Sequence, residues 1–308
     1  MAPPGGRLVV VIPSYQSERT VGGCLKALEE QTFDDFDAII VDSSPGPETA
    51  AFIKLNHPWV RVIVSRERLL PHAARNLGVA ESQSELLVFT DPDIYPQPDW
   101  LARMVAAYDR HGGVVVGSVA CHNADWLSQA IHVTKFDLWL PNRPAGTVEI
   151  SLTGNMLIDR PTFNRLGAFD GERMLADTLF SWCLERHGVP KHLIPEAIVL
   201  HDHRQGIGSF VSERFIRGQE FGWLRMGWWD WRYGRVAVQL LVTLLPLRLV
   251  NLVARNLANA VHFTHAVRLV GYSPIVLLGQ AAWLAGELSA YWRWMLGRLA
   301  ERQLRCGS

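Results

Sequence analysis

Two aspartates at the end of an apolar run are the first residues that indicate chemistry. Four consecutive apolar residues, Leu86 to Phe89, predict a strand buried on both faces of a parallel sheet. If Pro92 keeps the backbone extended, Asp91 and Asp93 point the same way. Like charges repel unless a cation lies between them, and ligands bind at the carboxyl ends of strands in open α/β sheets. The segment predicts a divalent cation that carries a phosphate; the alternative is a solvated Asp-Pro-Asp turn.

Alternating strands and helices must position these carboxylates. Strands are predicted at 8–12, 38–41, 60–64, 86–89, 114–119, 149–158 and 191–200. Helices are predicted at 21–30, 48–56, 72–80, 100–111, 161–166, 176–187 and 210–225. This alternation predicts a mostly parallel, doubly wound α/β sheet. Residues 121–148 have no regular pattern and are expected to form a loop region that lines a site.

The C-terminal third differs in charge and aromatic content. Residues 206–308 hold 12 Arg, no Lys and 5 acidic residues, whereas residues 1–205 hold 18 basic and 25 acidic residues. Seven of the twelve Trp lie beyond residue 205, and no carboxylate lies between Trp231 and Gly286. An Arg-rich, Trp-rich and otherwise apolar segment indicates a membrane surface. Nucleic acid is not expected, because aliphatic runs separate the cationic groups.

Two apolar stretches, 236–253 and 269–286, decide how this segment meets the membrane. Pro246 and Arg248 interrupt the first, and Gly271 and Pro274 interrupt the second. A spanning helix needs roughly 20 uninterrupted apolar residues, so we favour helices that lie in or dip into one leaflet. A spanning two-helix hairpin is the alternative, and a third is that these helices only pack on the body of the protein.

The cysteines and the N-terminus bear on the compartment. The four cysteines form no Cys-x-x-Cys pair, so they are expected to be free thiols in a reducing compartment. The N-terminus enters a strand without a separate apolar signal segment, so secretion is not expected.

Six short motifs, in their order and spacing, resemble family 2 glycosyltransferases of the glycosyltransferase-A (GT-A) fold. They are VVVIPSY at 9–15, IIVDSS at 39–44, ARNLG at 74–78, FTDPD at 89–93, TGNM at 153–156 and LGAFD at 166–170. The resemblance implies a Rossmann-like GT-A catalytic domain over residues 1–208. A helical, hydrophobic, membrane-associated region over residues 209–308 would follow it.

The resemblance also implies a nucleotide-sugar donor site. Pro13, Ser14 and Tyr15 would shape the nucleotide pocket, and Asp42 would accept a hydrogen bond from the base. The imide N–H of uracil can be donated to a carboxylate, so this role is chemically reasonable. The alternative for Asp42 is a helix N-cap or loop residue. UDP is favoured over other nucleotides by the family alone.

The phosphates and the metal involve a second group of residues in this resemblance. Arg75 would be a donor-site cation whose planar fork suits a phosphate or a carboxylate; the alternative is a surface ion pair. Asp91 would lie near the ribose, and Asn155 would belong to the donor-binding set. Asp93 would hold Mg²⁺ or Mn²⁺ at the pyrophosphate, with His201 as a further ligand. His203, two residues on, is the alternative ligand, and either histidine could be structural.

Inverting sugar transfer needs a base that takes the proton of the attacking hydroxyl. The family places an acidic pair at the start of a helix, and the matching residues here are Ala176 and Asp177. Asp177 is therefore the expected base, with a helix-start carboxylate favoured by the macrodipole as the alternative. Arg214 and Arg217 would contact a diphosphate or an anionic lipid, or form a solvated face. The Gln-x-x-Arg-Trp motif of processive synthases is absent, which implies single addition.

The predicted function is metal-dependent, inverting transfer of one sugar to a lipid-linked or envelope glycan acceptor. The expected location is the cytoplasmic face of a bacterial membrane, and membrane lipid is an expected partner. The alternative is a non-catalytic, membrane-anchored module that binds nucleotide sugars. A nucleotidyltransferase is disfavoured, because the Gly-rich, Lys-bearing N-terminal loop of that class is missing.

Overall fold

Strands and helices alternate through most of the computed structural model, which describes residues 6–260 and 266–297. The strands are β1 (Leu8–Ser14), β2 (Phe36–Asp42), β3 (Arg61–Val64), β4 (Leu86–Thr90), β5 (Ile94–Pro96), β6 (Val114–Cys121), β7 (Gly146–Thr147), β8 (Asn155–Asp159) and β9 (Lys191–His201). The helices are α1 (Val21–Glu29), α2 (Glu48–Asn56), α3 (Pro71–Ala80), α4 (Trp100–His111), α5 (Trp126–Phe136), α6 (Arg160–Arg165), α7 (Ala176–Arg186), α8 (Ile207–Trp228), α9 (Tyr233–Leu244), α10 (Pro246–Ala260) and α11 (Ala266–Met295).

Within the described residues, nine strands form one sheet in the order β3-β2-β1-β4-β8-β6-β9-β5, and β7 pairs with β9. Strands β3, β2, β1 and β4 are parallel to one another, as are β6 and β9. Strand β8 is antiparallel to β4 and β6, and β5 is antiparallel to β9. The predicted α/β class is confirmed, and the sheet is mixed: among the described residues four strand pairs are parallel and four are antiparallel.

Burial explains why the parallel strands are continuous apolar runs. Every residue of β1 and of β4 is buried, because a parallel sheet is covered by helices on both faces. Strands β1 and β2 are paired so that Ser14 lies opposite Asp42. Asp91 follows the last residue of β4, which also pairs with β1. The polar residues at the carboxyl ends of β1, β2 and β4 therefore lie at one edge of the sheet.

The chain divides into two compact units. The first contains residues 6–122 and 143–202, and the second contains residues 123–142 and 203–297 with its gap at 261–265. The second unit thus includes α5, in a segment where the sequence predicted only a loop; that prediction was wrong. Asp125 caps α5 by accepting a hydrogen bond from the Ser128 amide, an N-cap signal that was present in the sequence. The boundary predicted at residue 208, between a catalytic domain and a membrane-associated region, stays a prediction.

In the second unit, α8 and α11 cross at a distance that only glycine permits. A Cβ atom on Gly218 would meet the carbonyl oxygen of Trp283, and one on Gly286 would meet that of Phe215. Glycine thereby allows the two backbones to approach. Helix α11 also packs on α5, α9 and α10.

One described helix, α11 between Arg268 and Met295, is long and apolar enough to cross a membrane by length and composition. In the most apolar part of this helix, 44% of the residues are buried within the protein. Helices α9 and α10 meet the same criterion as a pair that is bent by 67°. The same criterion is met by core helices of soluble proteins, so packing must decide what each helix does.

The cysteines only partly follow the prediction. Cys24 and Cys121 are free thiols. Cys183 is disulfide-bonded, so the prediction of four free thiols was wrong. Cys306 lies outside the described residues.

Candidate active site

The first part of the site lies where β1 and β2 end. Ser14 Oγ donates to Asp42 Oδ1 over 3.1 Å, and Ser44 Oγ donates to the same oxygen over 2.6 Å. Asp42 is fully buried and is the last residue of β2, so it is neither a helix N-cap nor a loop residue. Its Oδ2 is also buried and has no hydrogen-bond partner among the described residues. Since a buried acceptor without a donor is costly, Oδ2 is suited to accept an N–H from a ligand.

Tyr15 lies at the exposed side of this pocket. Pro13 is buried within β1, whereas Tyr15 is 37% exposed. Gln16 has a φ of 50°, and its amide donates to Ser44 Oγ over 2.7 Å, which turns the chain sharply after Tyr15. The Arg68 guanidinium carbon lies 4.5 Å from the centre of the Tyr15 ring. The sequence reasoning missed Arg68, although it lies in the loop after β3, at the same edge of the sheet.

A buried ion pair forms the second part of the site. Arg75, on α3, is 2% exposed and pairs with Asp91. Burial excludes the surface ion pair considered for Arg75 and leaves it as the residue that holds Asp91. A Cβ on Gly154 would lie 2.9 Å from Asp91 Oδ2, so only glycine lets this carboxylate approach the loop before β8. The Thr-Gly-Asn motif therefore makes room for Asp91.

The backbone between Asp91 and Asp93 corrects one sequence argument. The Ile94 amide donates to the Asp91 carbonyl over 3.1 Å, so the segment is a tight turn and is not extended. The two carboxylates consequently have different neighbours. Asp91 pairs with Arg75, while Asp93 Oδ2 lies 3.8 Å from His201 Nε2. The sequence identified the correct residues with an incorrect backbone conformation.

Strand pairing brings Asp93 and His201 together. Strand β5 follows the turn and pairs with the end of β9, with Ile94 opposite His201. The Asp202 amide donates to the Asp93 carbonyl over 2.9 Å, and Tyr95 Oη donates to Asp202 Oδ2 over 3.0 Å. Asp202 thus fixes the backbone on both sides of the pair. It is a positioning residue that the sequence analysis did not single out.

The Asp93–His201 pair fits a divalent cation. Their separation of 3.8 Å is longer than a hydrogen bond. It falls within the roughly 3–4 Å that separates two ligands held about 2.1 Å from one ion. Burial, and then the negative charges of Asp93 and Asp91, raise the pKa of the nearby Cys24 thiol. A carboxylate with an imidazole suits Mn²⁺ or Mg²⁺.

Asn155 has a different environment from the one predicted. It is fully buried; Trp100 Nε1 donates to its Oδ1 over 2.8 Å, and its Nδ2 donates to the Ser118 carbonyl over 2.9 Å. A longer hydrogen bond of 3.3 Å joins Nδ2 to the Ala197 carbonyl. These contacts tie α4, β6 and β9 to β8. We assign the Asn155 side chain to holding the sheet together and omit it from the donor site proposed below.

Asp177 lies in the first turn of α7. Its Oδ1 accepts the Thr178 amide over 2.8 Å, which is consistent with the expected helix-start position. Its side chain is partly exposed. The macrodipole at a helix start stabilises its negative charge. Asp177 thus lies where the helix dipole favours a negative charge, and its role as the base stays a prediction.

Two residues considered for the site belong to the second unit. His203 is buried, and its Nε2 lies 3.0 Å from His132 Nδ1. Arg214 is also buried. It donates to Gln280 Oε1 over 3.3 Å, and its guanidinium carbon lies 4.4 Å from the centre of the Trp283 ring. The expectation that Arg214 meets a diphosphate or forms a solvated face is wrong, because the interior of the helical unit surrounds this residue.

Comparison with known proteins identifies the family. The family model described as glycosyl transferase family 2 matches residues 9–170, which is more than half of the chain. The glycosyltransferase AglE of Haloferax volcanii is 30% identical over 113 residues, covering 35% of this chain and 37% of AglE. The pre-mycofactocin glycosyltransferase of Mycobacterium tuberculosis is 26% identical over 234 residues, covering 70% of this chain and 48% of that protein. The chain therefore spans between about a third and a half of the length of these relatives.

Solved structures with the same fold are more distant in sequence. The mannosyltransferase PcManGT of Pyrobaculum calidifontis, solved with GDP-Man and Mn²⁺, has a TM-score of 0.63 at 18% identity, covering 94% of this chain and 89% of that one. Residues 1–349 of Staphylococcus aureus TarS, solved with UDP-GlcNAc, have a TM-score of 0.54 at 16% identity. This similarity covers 94% of this chain and 92% of that one. These similarities support the fold, and the family model supports the activity class. The chain belongs to glycosyl transferase family 2 and has the GT-A fold.

Proposed function

We propose that the protein transfers a single sugar, with inversion and dependence on Mg²⁺ or Mn²⁺, from a nucleotide-sugar donor to a lipid-linked or envelope glycan acceptor. The observation that carries the proposal is the Asp93–His201 pair, 3.8 Å apart, at the end of the strand that holds the Arg75–Asp91 ion pair. Together they provide a carboxylate and an imidazole for a metal, beside a fixed carboxylate for the donor.

The pocket formed by Ser14 and Asp42 is suited to the nucleotide base. Two serine hydroxyls orient Asp42 through Oδ1, which leaves Oδ2 to accept an imide N–H. Uracil and guanine both offer such a donor, and the two structural neighbours were solved with UDP-GlcNAc and GDP-Man. UDP is favoured by the family alone. Tyr15 and Arg68 are placed to cover one side of the base.

The reaction follows from the charges around the donor. The hydroxyl oxygen of the acceptor attacks the anomeric carbon, and the bond from that carbon to the diphosphate breaks. The Asp177 carboxylate accepts the proton that the hydroxyl loses. A cation held by Asp93 and His201, when bound, offsets the charge of the departing diphosphate. Arg75 keeps the Asp91 carboxylate fixed beside the donor. No side chain is required as a general acid, because the nucleoside diphosphate leaves as an anion.

The acceptor is proposed from the relatives and the C-terminal region. Relatives include a poly(ribitol-phosphate) β-N-acetylglucosaminyltransferase of Staphylococcus aureus and an undecaprenyl-phosphate 4-deoxy-4-formamido-L-arabinose transferase of Pseudomonas fluorescens. Their acceptors belong to the cell envelope or are lipid phosphates. The Arg-rich, Trp-rich segment of this chain agrees with an acceptor at the cytoplasmic surface of a bacterial membrane.

A nucleotide-release assay tests the proposal. The purified full chain is incubated with UDP- or GDP-sugars, with and without Mn²⁺, and the free nucleotide is measured. We expect metal-dependent release from one donor class and loss of that release in the Asp93→Asn variant. The matched control is Asp99→Asn, because Asp99 is a surface acid that pairs with Arg103. Donor binding in a thermal-shift assay without any turnover would contradict the proposal and favour the binding-module alternative, which the Ala176–Asp177 sequence suggests.

A further inference from the structure

Helix α9 buries Val236 together with two polar residues on its inner face, and its outer face is aliphatic. Gln239 and Thr243 are buried, with Gln239 Nε2 donating to Thr243 Oγ1 over 3.4 Å, and Arg248 also donates to Thr243. The outer residues are aliphatic and 41–64% exposed: Val238, Leu241, Val242, Leu244 and Leu245. A helix at a water-facing surface has the opposite arrangement. The solvent that α9 faces is therefore expected to be apolar.

This apolar surface continues around a bend into α10. Helix α9 ends at Leu244 and α10 begins at Pro246, with an angle of 67° between them. On the first turns of α10, Leu247 and Val250 are 65% and 59% exposed. We call residues 233–250 the apolar elbow. A contiguous apolar surface of this kind, unlike single exposed leucines, indicates a binding surface.

Charge and aromatic residues around the elbow fit an anionic lipid surface. Trp229 lies just before the elbow and Tyr233 is its first residue; they are 59% and 60% exposed, and Asp230, also exposed, lies between them. Arg232 and Arg235 are also exposed there. No carboxylate occurs in the sequence between Trp231 and Gly286 that would repel anionic headgroups. Amphipathic aromatic rings and arginines at the border of an aliphatic patch are typical of the headgroup region.

Helix α11 carries a buried charged network that argues against a position inside a bilayer. Glu287 is fully buried on this helix, and Arg248 Nη2 donates to both of its carboxylate oxygens over 2.8 Å. Trp283 and Tyr291 donate to Glu287 over 2.8 and 2.9 Å, and Arg225 of α8 lies 3.4 Å away. A charged network of this kind belongs in a protein interior and is costly in hydrocarbon.

The partner of α11 makes a transmembrane position still less suitable. Helix α8 crosses α11 through Gly218, so a spanning α11 would carry α8 into the bilayer. Helix α8 bears Glu213, whose carboxylate is 3.0 Å from Lys135 Nζ and 2.9 Å from Arg217 Nε. Arg217, whose side chain is 33% exposed, would then face hydrocarbon, where an arginine is costly.

We propose that the apolar elbow inserts into the headgroup and upper acyl region of one leaflet of an anionic membrane, while α11 stays inside the helical unit. This inference deepens the proposed function and rests on it for the acceptor at a membrane surface. It names the segment that holds the enzyme there and the lipid class that it meets. The attachment is monotopic: the elbow provides the apolar contact and Arg232 and Arg235 the electrostatic one.

Flotation of the full chain with vesicles of phosphatidylglycerol and phosphatidylcholine tests the proposal. We expect the wild type to float and the Leu241→Gln/Leu245→Gln variant to lose about tenfold in partitioning for each leucine. The matched control is Leu277→Gln/Leu278→Gln, which changes residues of α11 that are 48% and 39% exposed. We expect this control to float like the wild type, and circular dichroism to give both variants the wild-type helix content.

Further variants distinguish binding of the elbow to lipid from binding to another protein copy. An Arg232→Gln/Arg235→Gln variant should float less with anionic vesicles and be unchanged with phosphatidylcholine alone. The proposal is overturned if the elbow variant floats like the wild type, or if only the α11 control loses flotation. It is also overturned if the protein ignores vesicles and forms a dimer that only the elbow variant dissociates, because a second copy would then cover the elbow. Asp93→Asn should float normally, so failure of the sugar-transfer proposal is distinguished from failure of this one.

Discussion

Helices α4 and α9 are both amphipathic, but α4 buries its large apolar residues and α9 exposes most of its own. On α4, Leu101 and Met104 are buried against the sheet, and Arg103 faces water. On α9, Gln239 is buried and Leu241 is 64% exposed. The comparison teaches that amphipathic spacing identifies two faces, and only the structure shows which one is inside. One unit is organised around an interior core, and the other also carries an apolar surface outward.

Glutamine substitutions on the two helices test this comparison with the largest effect on stability. Leu101→Gln buries an amide in a closed core and should lower the free energy of unfolding by about 3–5 kcal/mol. Leu241→Gln, on an exposed position, should change it by less than about 0.5 kcal/mol. Urea unfolding followed by circular dichroism measures both. Equal losses would mean that α9 is covered by protein in solution.

Asp177→Asn tests the chemistry of the first unit. Removing a general base should lower the transfer rate by about 10²- to 10⁴-fold and leave the donor Kd unchanged. The matched control is Glu185→Gln, since Glu185 is an exposed acid further along the same helix. Steady-state transfer and donor titration together separate the two quantities. A variant with wild-type turnover would exclude Asp177 as the base.

The ion pairs of the helical unit predict acid sensitivity. Burial alone would raise the pKa of Glu213, but Lys135 and Arg217 bring it from 4.5 to about 2. Because the folded-state pKa is the lower one, the stabilisation is complete above pH 4.5 and is lost as the pH falls towards 2. It amounts to at most about 3 kcal/mol. The wild type should have a higher urea midpoint than Glu213→Gln at neutral pH. The two midpoints should converge as the pH falls from 4.5 towards 2.

The smallest effect is expected at the exposed side of the nucleotide pocket. Arg68→Ala removes the cation that covers Tyr15 and should raise the donor KM about two- to fivefold, with kcat unchanged. Arg66→Ala is the matched control, since Arg66 is exposed in the same loop. A change in kcat with no change in KM would place Arg68 in the chemistry instead.

The sequence predicted the site best where its motifs end strands. Asp42 and Asp91 follow β-branched or apolar runs, and parallel pairing alone brings such residues to one edge. The residues that each of these side chains contacts depend on turns and long-range strand pairings, which local sequence patterns do not encode. The turn at Asp91, which directs Asp93 towards His201, follows from the pairing of β5 with β9.

Other differences have similar causes. Asn155 is polar and lies within a family motif, yet its amide is used by three neighbouring elements that only the folded sheet brings together. The sequence could not choose between His201 and His203, because only Asp202 separates them in sequence and yet different compact units contain them. Arg214 has the spacing of a surface helix residue, and only the close approach of α11 reveals its burial.

Binding of Mn²⁺ in the presence of UDP, followed by electron paramagnetic resonance, tests the central claim most directly. We expect the wild-type chain to bind one Mn²⁺ per protein with UDP. The Asp93→Asn and His201→Ala variants should each weaken that binding by at least about tenfold, as loss of a metal ligand predicts. Wild-type Mn²⁺ affinity in both variants would contradict the assignment of the metal to the end of β4 and β9.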